Sequence, residues 1–226
     1  MLLSLNLIII MIHQIEKQEI VRFGHLLYQK GFIAGSDGNL SIRLNDGNIL
    51  ITPSGLPKGF LDEDNMVVID PKGKPILGSQ KPSSEYLMHL YVYQKRPDIK
   101  ACCHAHPPYS TAFSVVERVL PANILPEVVL FVGNIPLTEY GSPGTLEVPK
   151  TLEKYIAGND AFMLRNHGIL TIGRTLAEAY YRMETVEHYS KIIYIAESAG
   201  KLNFLDIDEV KRLEKMRESF KQGSKK

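Results

Sequence analysis

The hydrophobic pattern of this chain alternates between the spacing of amphipathic helices and that of short strands. From residue 14 to residue 30, apolar side chains recur at helical spacing, with Ile20, Phe23 and Leu27 on one side. Gly31 follows as a suitable helix stop. The same spacing returns in PSSEYLMHLYVYQKRPD, where a proline closes the segment. These two patterns predict the first two helices.

Runs rich in β-branched residues predict the strands, which are NLSIRL, NILIT, MVVID, KACC, EVVLFVG, DAFMLRN and ILTIG. The turn signals NDG and DPKG separate the early runs, as in antiparallel hairpins. Further helices are expected at about 148–157, from the capping box of Thr175 and Glu178 to about Ala199, and from Asp206 onward. Without a βαβ rhythm or a linker, this order predicts a single α/β domain over residues 1–226 with a mainly antiparallel sheet.

The two ends of the chain differ from the rest in composition. The opening MLLSLNLIIIMI is apolar but far shorter than the roughly 20 residues that a spanning helix needs. It also lacks a basic n-region and a cleavage signal. We interpret residues 1–12 as an apolar leader packed against the protein, or as upstream of a true start at Met11. Residues 221–226 are predicted to be a solvated tail, and the protein is expected to be cytoplasmic and not bound to a membrane.

Charge and cysteine content exclude some function classes. Lys and Arg total 26 and Asp and Glu total 25, so the chain lacks the excess positive charge of a nucleic-acid binder. The only two cysteines, Cys102 and Cys103, are adjacent in a predicted strand, and their side chains should point to opposite faces. No disulfide framework follows from this pair, which fits a reducing compartment.

Candidate chemistry is concentrated in CHAHPPYS. Residues i and i+2 of a strand share a face, so His104 and His106 should present two imidazoles together, as a metal-chelating pair would. The double proline then takes the chain out of the sheet and leaves both rings at an open edge. A pair of half-buried strand histidines is the alternative. A third ligand is therefore required for a metal site.

His167 is the candidate third ligand, because NHG forms a tight break between two apolar strands and can aim the ring at another strand end. Three histidines would leave one zinc position open, which is typical of a catalytic site. The other four histidines, His13, His25, His89 and His188, lie in helical stretches and are interpreted as surface or helix-packing residues. Glu85, in PSSE, is the candidate base, although a carboxylate in a first helical turn often only compensates the helix dipole.

Three loops have the composition of an oxyanion-binding cradle. They supply backbone N–H groups and short hydroxyls without a Walker lysine. Each alone is also a plausible ordinary turn, so the prediction depends on all three lying beside the metal site. The loops contain Gly38 and Asn39, Thr52 and Gly55, and Ser83 and Ser84.

The motifs GSDGNLSIR, ITPSG, KPSSEYLMH, CHAHPPYSTAFS, YGSPGT and NHGILTIG resemble those of the class II aldolase and adducin head family. The pattern is most similar to zinc-dependent fuculose-1-phosphate and ribulose-1-phosphate type aldolases. This resemblance implies a three-layer α/β/α subunit in a homotetramer, with one Zn²⁺ per chain and a sugar phosphate substrate. It makes His104, His106 and His167 the zinc ligands and Glu85 the catalytic carboxylate. The phosphate-binding residues would be Gly38, Asn39, Thr52, Gly55, Ser83 and Ser84.

The resemblance leaves other reactions open. In 4-epimerases of the family the position of Glu85 looks like an aspartate, which favours an aldolase here. Methylthioribulose-1-phosphate dehydratases use an acid from the segment after the histidine pair, and Glu127 lies in that segment. The tyrosines that fuculose-type aldolases carry near Leu125 and in the C-terminal tail have no counterpart here. A catalytically silent scaffold, like the adducin head, is a further alternative, against which the three histidines and Glu85 argue.

Overall fold

A computed structural model describes residues 13–223, which form one sheet covered by helices. Within that range the helices are α1 (Gln14–Gln29), α2 (Tyr86–Lys95), α3 (Pro108–Val115), α4 (Pro126–Phe131), α5 (Glu147–Leu152), α6 (Leu176–Ala199) and α7 (Ile207–Gly223). The strands are β1 (Asn39–Arg43), β2 (Ile49–Ile51), β3 (Val67–Ile69), β4 (Pro75–Leu77), β5 (Ala101–Ala105), β6 (Ala161–Leu164) and β7 (Gly168–Gly173). Two short 3₁₀ turns, Lys58–Phe60 and Glu63–Asn65, precede β3.

The strands form one sheet in the order β4-β3-β2-β1-β5-β7-β6, and every neighbouring pair among them is antiparallel. Strand β5 lies between β1 and β7, so His104 is opposite Asn39 on one side and Leu170 on the other. The predicted antiparallel α/β fold is confirmed. Its register places the histidine motif in the middle of the sheet.

Two apolar clusters lie on opposite faces of this sheet and make the fold three-layered. One cluster contains residues of α1, α3, α4 and α6, and the other contains residues of α2 and α5. Cys103 belongs to the first cluster and Cys102 to the second, as the alternation of a strand requires. Both thiols are free and fully buried. In α1 the predicted stripe of Ile20, Phe23 and Leu27 is buried.

One predicted element was wrong, and one strand and one helix were missed. The run EVVLFVG forms helix α4 rather than a strand, because Pro126 occupies its first turn with φ already suited to a helix. This helix packs on α7 and buries Val128 and Val129. Strand β4 is exposed along its length at the sheet edge, so it carries no apolar alternation that could have predicted it. Pro108 starts helix α3 directly after the histidine motif.

The ends of the chain set the limits of this description. The predicted apolar leader, residues 1–12, lies outside the described residues. In the predicted tail, the backbone of residues 221–223 continues helix α7, and residues 224–226 lie outside the description. Across residues 13–223, none of the helices combines the length and the apolar character that crossing a membrane demands.

Candidate metal centre

His104 is the central side chain of the site and is fully buried in β5. Its Nδ1 lies 2.8 Å from the carbonyl oxygen of Ile169 in β7. Because a carbonyl can only accept, Nδ1 carries a proton, and Nε2 is the nitrogen that can bind a metal. A hydrogen bond of this kind from the outer nitrogen is typical of histidines that bind metals.

His106 lies one residue beyond the end of β5 and turns its ring toward His104. Its backbone N–H donates to the carbonyl of Phe32 at 3.0 Å, which holds the chain in place after the strand. The Nε2 atoms of His106 and His104 are 3.1 Å apart. The two rings therefore lie on the same side of the chain, as the i, i+2 spacing predicts.

His167 approaches from the turn between β6 and β7. Asn166 has a φ of 53°, a left-handed conformation that reverses the chain tightly before Gly168. Gly168 also makes room for His106, because a Cβ there would lie 2.5 Å from its Cδ2. The ring of His167 is centred 4.7 Å from that of His104 and 5.1 Å from that of His106. The structure thus brings the three predicted ligands together.

The three rings fit a small divalent cation. One ligand atom from each histidine can be chosen so that all three lie within 4.8 Å of one another. Zinc–nitrogen bonds of about 2.05 Å in tetrahedral geometry require nitrogen atoms about 3.3 Å apart, close to the His104–His106 separation. Among the described residues, the buried His167 Nδ1 and Glu85 Oε1 have no hydrogen-bond partner. The hydrogen-bonding capacity of the cluster is therefore not fully used by the protein itself, as expected of a site that binds a ligand.

Glu85 faces the histidines from the start of α2. It is the N-cap residue of that helix rather than part of its first turn, and it is buried. Its Oε2 is 3.2 Å from His104 Nε2, and its Oε1 is 3.2 Å from His167 Nε2. Burial raises the pKa of Glu85, but the two histidines outweigh burial and hold the pKa well below its usual range. Glu85 is therefore an ionised carboxylate at neutral pH.

Asp37 is a residue of the site that sequence analysis missed. Its Oδ2 lies 3.5 Å from His106 Nδ1, on the side of the ring that faces away from His104. Burial lowers the pKa of His106 to about 4, and the charges of His104 and His167 lower it further. His106 is thus neutral, the form in which histidine binds metals. The SDGN sequence, an acid beside a conformationally free glycine, was the only available signal.

The predicted phosphate loops surround this cluster in part. Main-chain hydrogen bonds join the second and third loops, from Ser54 N to the Lys81 carbonyl at 2.9 Å and from Ser83 N to the Thr52 carbonyl at 3.0 Å. Gly38 has a φ of 68°, and a Cβ there would lie 2.8 Å from the His104 carbonyl oxygen. The first loop is therefore packed directly against the histidine strand.

These loops differ in exposure. Thr52 is fully buried, and its hydroxyl oxygen accepts from Leu40 N at 3.2 Å. Ser83 is buried as well and accepts weakly from Glu85 N at 3.3 Å. Gly55, with a φ of 75°, and Ser84 are exposed. Gly55 and Ser84 are thus the predicted members of these loops that a ligand can reach.

Asn39 and His89 are engaged inside the protein. The Asn39 amide nitrogen donates to Glu85 Oε2 at 2.8 Å, so one of its two N–H groups is engaged inside the protein. His89 is fully buried and bonds to Asn39 and Ser41, which excludes the surface alternative and fits a residue at which the helix packs on the sheet. Its position four residues after Glu85 on one helix face was the signal that could have found it.

Glu127 is not brought to the histidine cluster within this chain. It is exposed in the first turn of α4 and lines a separate pocket of about 580 Å³ together with Tyr109 and Glu187. The carboxylates nearest to the three histidines are those of Glu85 and Asp37. Within one chain, Glu127 is therefore not placed to act on a substrate bound at the three histidines.

Comparison with known families gives a direct result. The model of the Class II Aldolase and Adducin N-terminal domain family matches residues 18–194. The chain belongs to this family. The resemblance of its motifs is thereby confirmed, and the histidine cluster and Glu85 lie within the matched range.

Individual relatives from this family carry two kinds of name. An L-fuculose phosphate aldolase of Methanococcus vannielii is 39% identical over 184 residues, which cover 81% of this chain and 98% of the relative. A 3-oxo-tetronate 4-phosphate decarboxylase of Escherichia coli is 38% identical over 188 residues, or 81% of this chain and 88% of the relative. The crystal structure of YgbL, a putative aldolase/epimerase/decarboxylase from Escherichia coli, superposes with a TM-score of 0.85 at 35% identity, covering 90% of this chain and 99% of that one. These relatives agree on the fold and differ in the named reaction.

Proposed function

We propose that this chain is a zinc-dependent class II aldolase. Its substrate would be a ketose 1-phosphate, such as fuculose 1-phosphate or a related deoxypentulose phosphate, cleaved to dihydroxyacetone phosphate and an aldehyde. The observation that carries the proposal is the meeting of His104, His106 and His167 within 4.8 Å, with Glu85 at 3.2 Å from two of them. Three nitrogen ligands leave room for substrate, as in catalytic zinc sites.

The reaction sets the tasks of the site. In aldol cleavage the bond between carbons three and four breaks, and the hydroxyl on carbon four loses its proton to become the aldehyde. The electron pair stays on carbon three as an enediolate, which then takes up a proton to give dihydroxyacetone phosphate. The chemistry that zinc supplies when bound is withdrawal of electron density from the oxygens that carry this charge. Proton transfer and substrate positioning are left to the chain.

Glu85 is the residue we assign to the proton at carbon three. Its Oε2 is held by the Asn39 amide, while Oε1 faces His167 Nε2 at 3.2 Å without a hydrogen bond of regular geometry. We assign the proton transfer to Oε1. Because the group sits at the N-cap of α2 and is buried, it acts from a fixed position on a rigid element.

The loops around the cluster are assigned to the phosphate. Gly55 and Ser84 are the exposed members, and main-chain hydrogen bonds from Ser54 and Ser83 hold their two loops side by side. Gly38, Thr52 and Ser83 support this surface from within. Asn39 remains a proposed phosphate-binding residue, with one of its amide N–H groups already bonded to Glu85. Holding the phosphate would orient the reacting carbons beside Glu85.

A second candidate function is decarboxylation of a 3-oxo-tetronate 4-phosphate, favoured by the 38% identical relative of that name. In such a substrate the carboxylate lies beta to a ketone. Loss of carbon dioxide leaves the electron pair on the adjacent carbon, which gives the same enediolate of dihydroxyacetone phosphate. Both reactions thus place the same demand on Glu85. They differ in the leaving half. To release an aldehyde, the substrate must lose a proton from its carbon-four hydroxyl, whereas release of carbon dioxide from a carboxylate requires no such proton transfer.

The test is product analysis with a small panel of substrates. Zinc-loaded protein is incubated with fuculose 1-phosphate, ribulose 1-phosphate, methylthioribulose 1-phosphate and 3-oxo-tetronate 4-phosphate, and the products are identified by NMR. The proposal predicts dihydroxyacetone phosphate and an aldehyde from a ketose 1-phosphate. Dihydroxyacetone phosphate from the oxo acid alone would select the decarboxylase. A product that keeps its carbon skeleton would indicate a dehydratase or epimerase, and no turnover would favour a scaffold.

A further inference from the structure

A chain of buried polar side chains runs from Glu85 into the layer beneath the sheet. Asn39 Nδ2 donates to Glu85 Oε2 at 2.8 Å, and Asn39 Oδ1 contacts His89 Nε2 at 2.5 Å. His89 Nδ1 is 2.6 Å from the Ser41 hydroxyl, which is 2.6 Å from the Tyr93 hydroxyl. The members of this chain are 8% exposed or less. None of them beyond Glu85 and Asn39 has a role in the function proposed above.

The direction of every proton in this chain is fixed by its partners. The amide oxygen of Asn39 can only accept, so His89 Nε2 carries the proton. Burial lowers the pKa of His89 to about 3, so the ring is neutral and its Nδ1 must accept from Ser41. Ser41 in turn accepts from Tyr93. All donors therefore point toward Glu85, an arrangement in which successive hydrogen bonds polarise and strengthen one another.

We propose that His89 is a positioning residue for Glu85. Its Nε2–H selects the one orientation of the Asn39 amide that presents N–H groups, rather than an oxygen, to the Glu85 carboxylate. A rotated amide would place Oδ1 against Oε2, where two negative oxygens repel each other. His89 thereby holds Oε2 through Asn39, while Oε1 stays on the side of the histidine cluster, 3.2 Å from His167 Nε2. The catalytic consequence rests on the proposed function, whereas the orientation itself does not.

Two substitutions separate the two ends of the imidazole. Glutamine can reach the place of Nε2 and donate to Asn39, so His89→Gln retains the bond toward Glu85. Asparagine reaches only the place of Nδ1, so His89→Asn retains the contact with Ser41 and loses the donor to Asn39. Val92→Ala is the matched control, because Val92 is fully buried one turn further along the same helix and lies outside the chain.

The measurements are kcat, KM, bound metal and urea unfolding for all three variants. We expect His89→Asn to lose about 10- to 100-fold in kcat, as loss of a supporting hydrogen bond commonly does, with KM and metal content little changed. His89→Gln should retain most of its kcat, and Val92→Ala should keep its kcat despite a loss of stability. Equal kcat losses in the two His89 variants, or a matching loss in Val92→Ala, would show that His89 only fills and stabilises the core.

A second measurement does not depend on turnover. Histidine-labelled, metal-free wild-type protein is studied by ¹⁵N NMR, and His89 is assigned by the signal missing from His89→Gln. We expect a neutral ring at neutral pH with its proton on Nε2. A proton on Nδ1 would leave Asn39 without its donor and overturn the inference. If no substrate of the panel is turned over, the proposed function fails, and this tautomer still decides the inference.

Discussion

At the scale of single residues, metal binding is the first property to test. Purified protein should hold about one divalent ion per chain, because three imidazoles meet in a partly closed site. His106→Ala should lose most of this metal while unfolding at nearly the wild-type temperature, since the ring is only partly buried and contributes little to the core. Metal content by emission spectrometry and thermal unfolding by circular dichroism measure both effects. Stoichiometric metal in a variant with all three histidines changed to alanine would contradict the assignment.

The two candidate carboxylates give a second prediction at this scale. Glu85→Gln keeps the shape of the side chain but cannot transfer a proton, so turnover should fall by about 10²- to 10⁴-fold with metal content unchanged. Glu127→Gln should do less damage, because Glu127 is exposed and lines a different pocket. Steady-state kinetics on the same substrate rank the two. The opposite ranking, together with a product that keeps its carbon skeleton, would favour a dehydratase.

At the scale of elements, Lys58 links the loop that contains Gly38 to the loop that contains Gly55 through hydrogen bonds. It lies in the 3₁₀ turn Lys58–Phe60, is 1% exposed, and donates to the carbonyls of Ser36 at 2.8 Å and Leu56 at 2.9 Å. Burial lowers the pKa of Lys58 from 10.5 to about 8, although Asp37 and Glu85 attract the charge. The folded protein thus loses this proton at lower pH than the unfolded chain does.

The consequence is a pH dependence of stability with a definite sign. Between about pH 8 and pH 10.5 the unfolded chain binds more protons at Lys58, so the free energy of unfolding should rise with pH across this window. Relative to Lys58→Met, wild type should gain on the order of 2 kcal/mol over the window. Urea unfolding at several pH values measures the difference. If the free energy of unfolding depended on pH in the same way in both proteins, the pKa of Lys58 would not be lowered by folding.

The elements also show what the sequence could predict. Periodicity identified α1, α2, α6 and most strands, because each buries one face on a neighbouring layer. It failed at α4, where a run of β-branched residues suggested a strand although Pro126 starts a helix that packs on α7. Local spacing found His104 and His106. His167 and Glu85 were found as candidates, but their meeting with the pair depends on the order of strands, which local patterns do not encode.

The missed residues of the site have the same explanation. Asp37 and His89 act through partners that lie far away in the sequence, and the local signals of each do not reveal these partners. Asn39 was assigned to the phosphate from its loop, whereas the sheet register places it opposite His104 and turns its amide to Glu85. Roles that depend on tertiary partners need the fold before they can be assigned.

At the scale of the whole molecule, we predict a homotetramer. The family resemblance implies this assembly, and the surface is compatible with it, because Phe131, Tyr181 and Phe220 are each more than half exposed around one pocket formed by α4, α6 and α7. Large exposed apolar side chains that cluster in this way are typical of contact surfaces. Sedimentation velocity at micromolar concentration should give the mass of four chains. A fully active monomer would contradict the prediction.

The central claim, that this site forms the enediolate of dihydroxyacetone phosphate and that Glu85 moves its proton, can be tested without knowing the leaving half of the substrate. Zinc-loaded protein is incubated with dihydroxyacetone phosphate in D₂O, and the hydroxymethyl signal is followed by proton NMR. By microscopic reversibility, wild type should replace one of the two hydrogens with deuterium, whereas Glu85→Gln and chelator-treated protein should not. Absence of exchange in the metal-loaded wild type, or equal exchange in Glu85→Gln, would contradict the account.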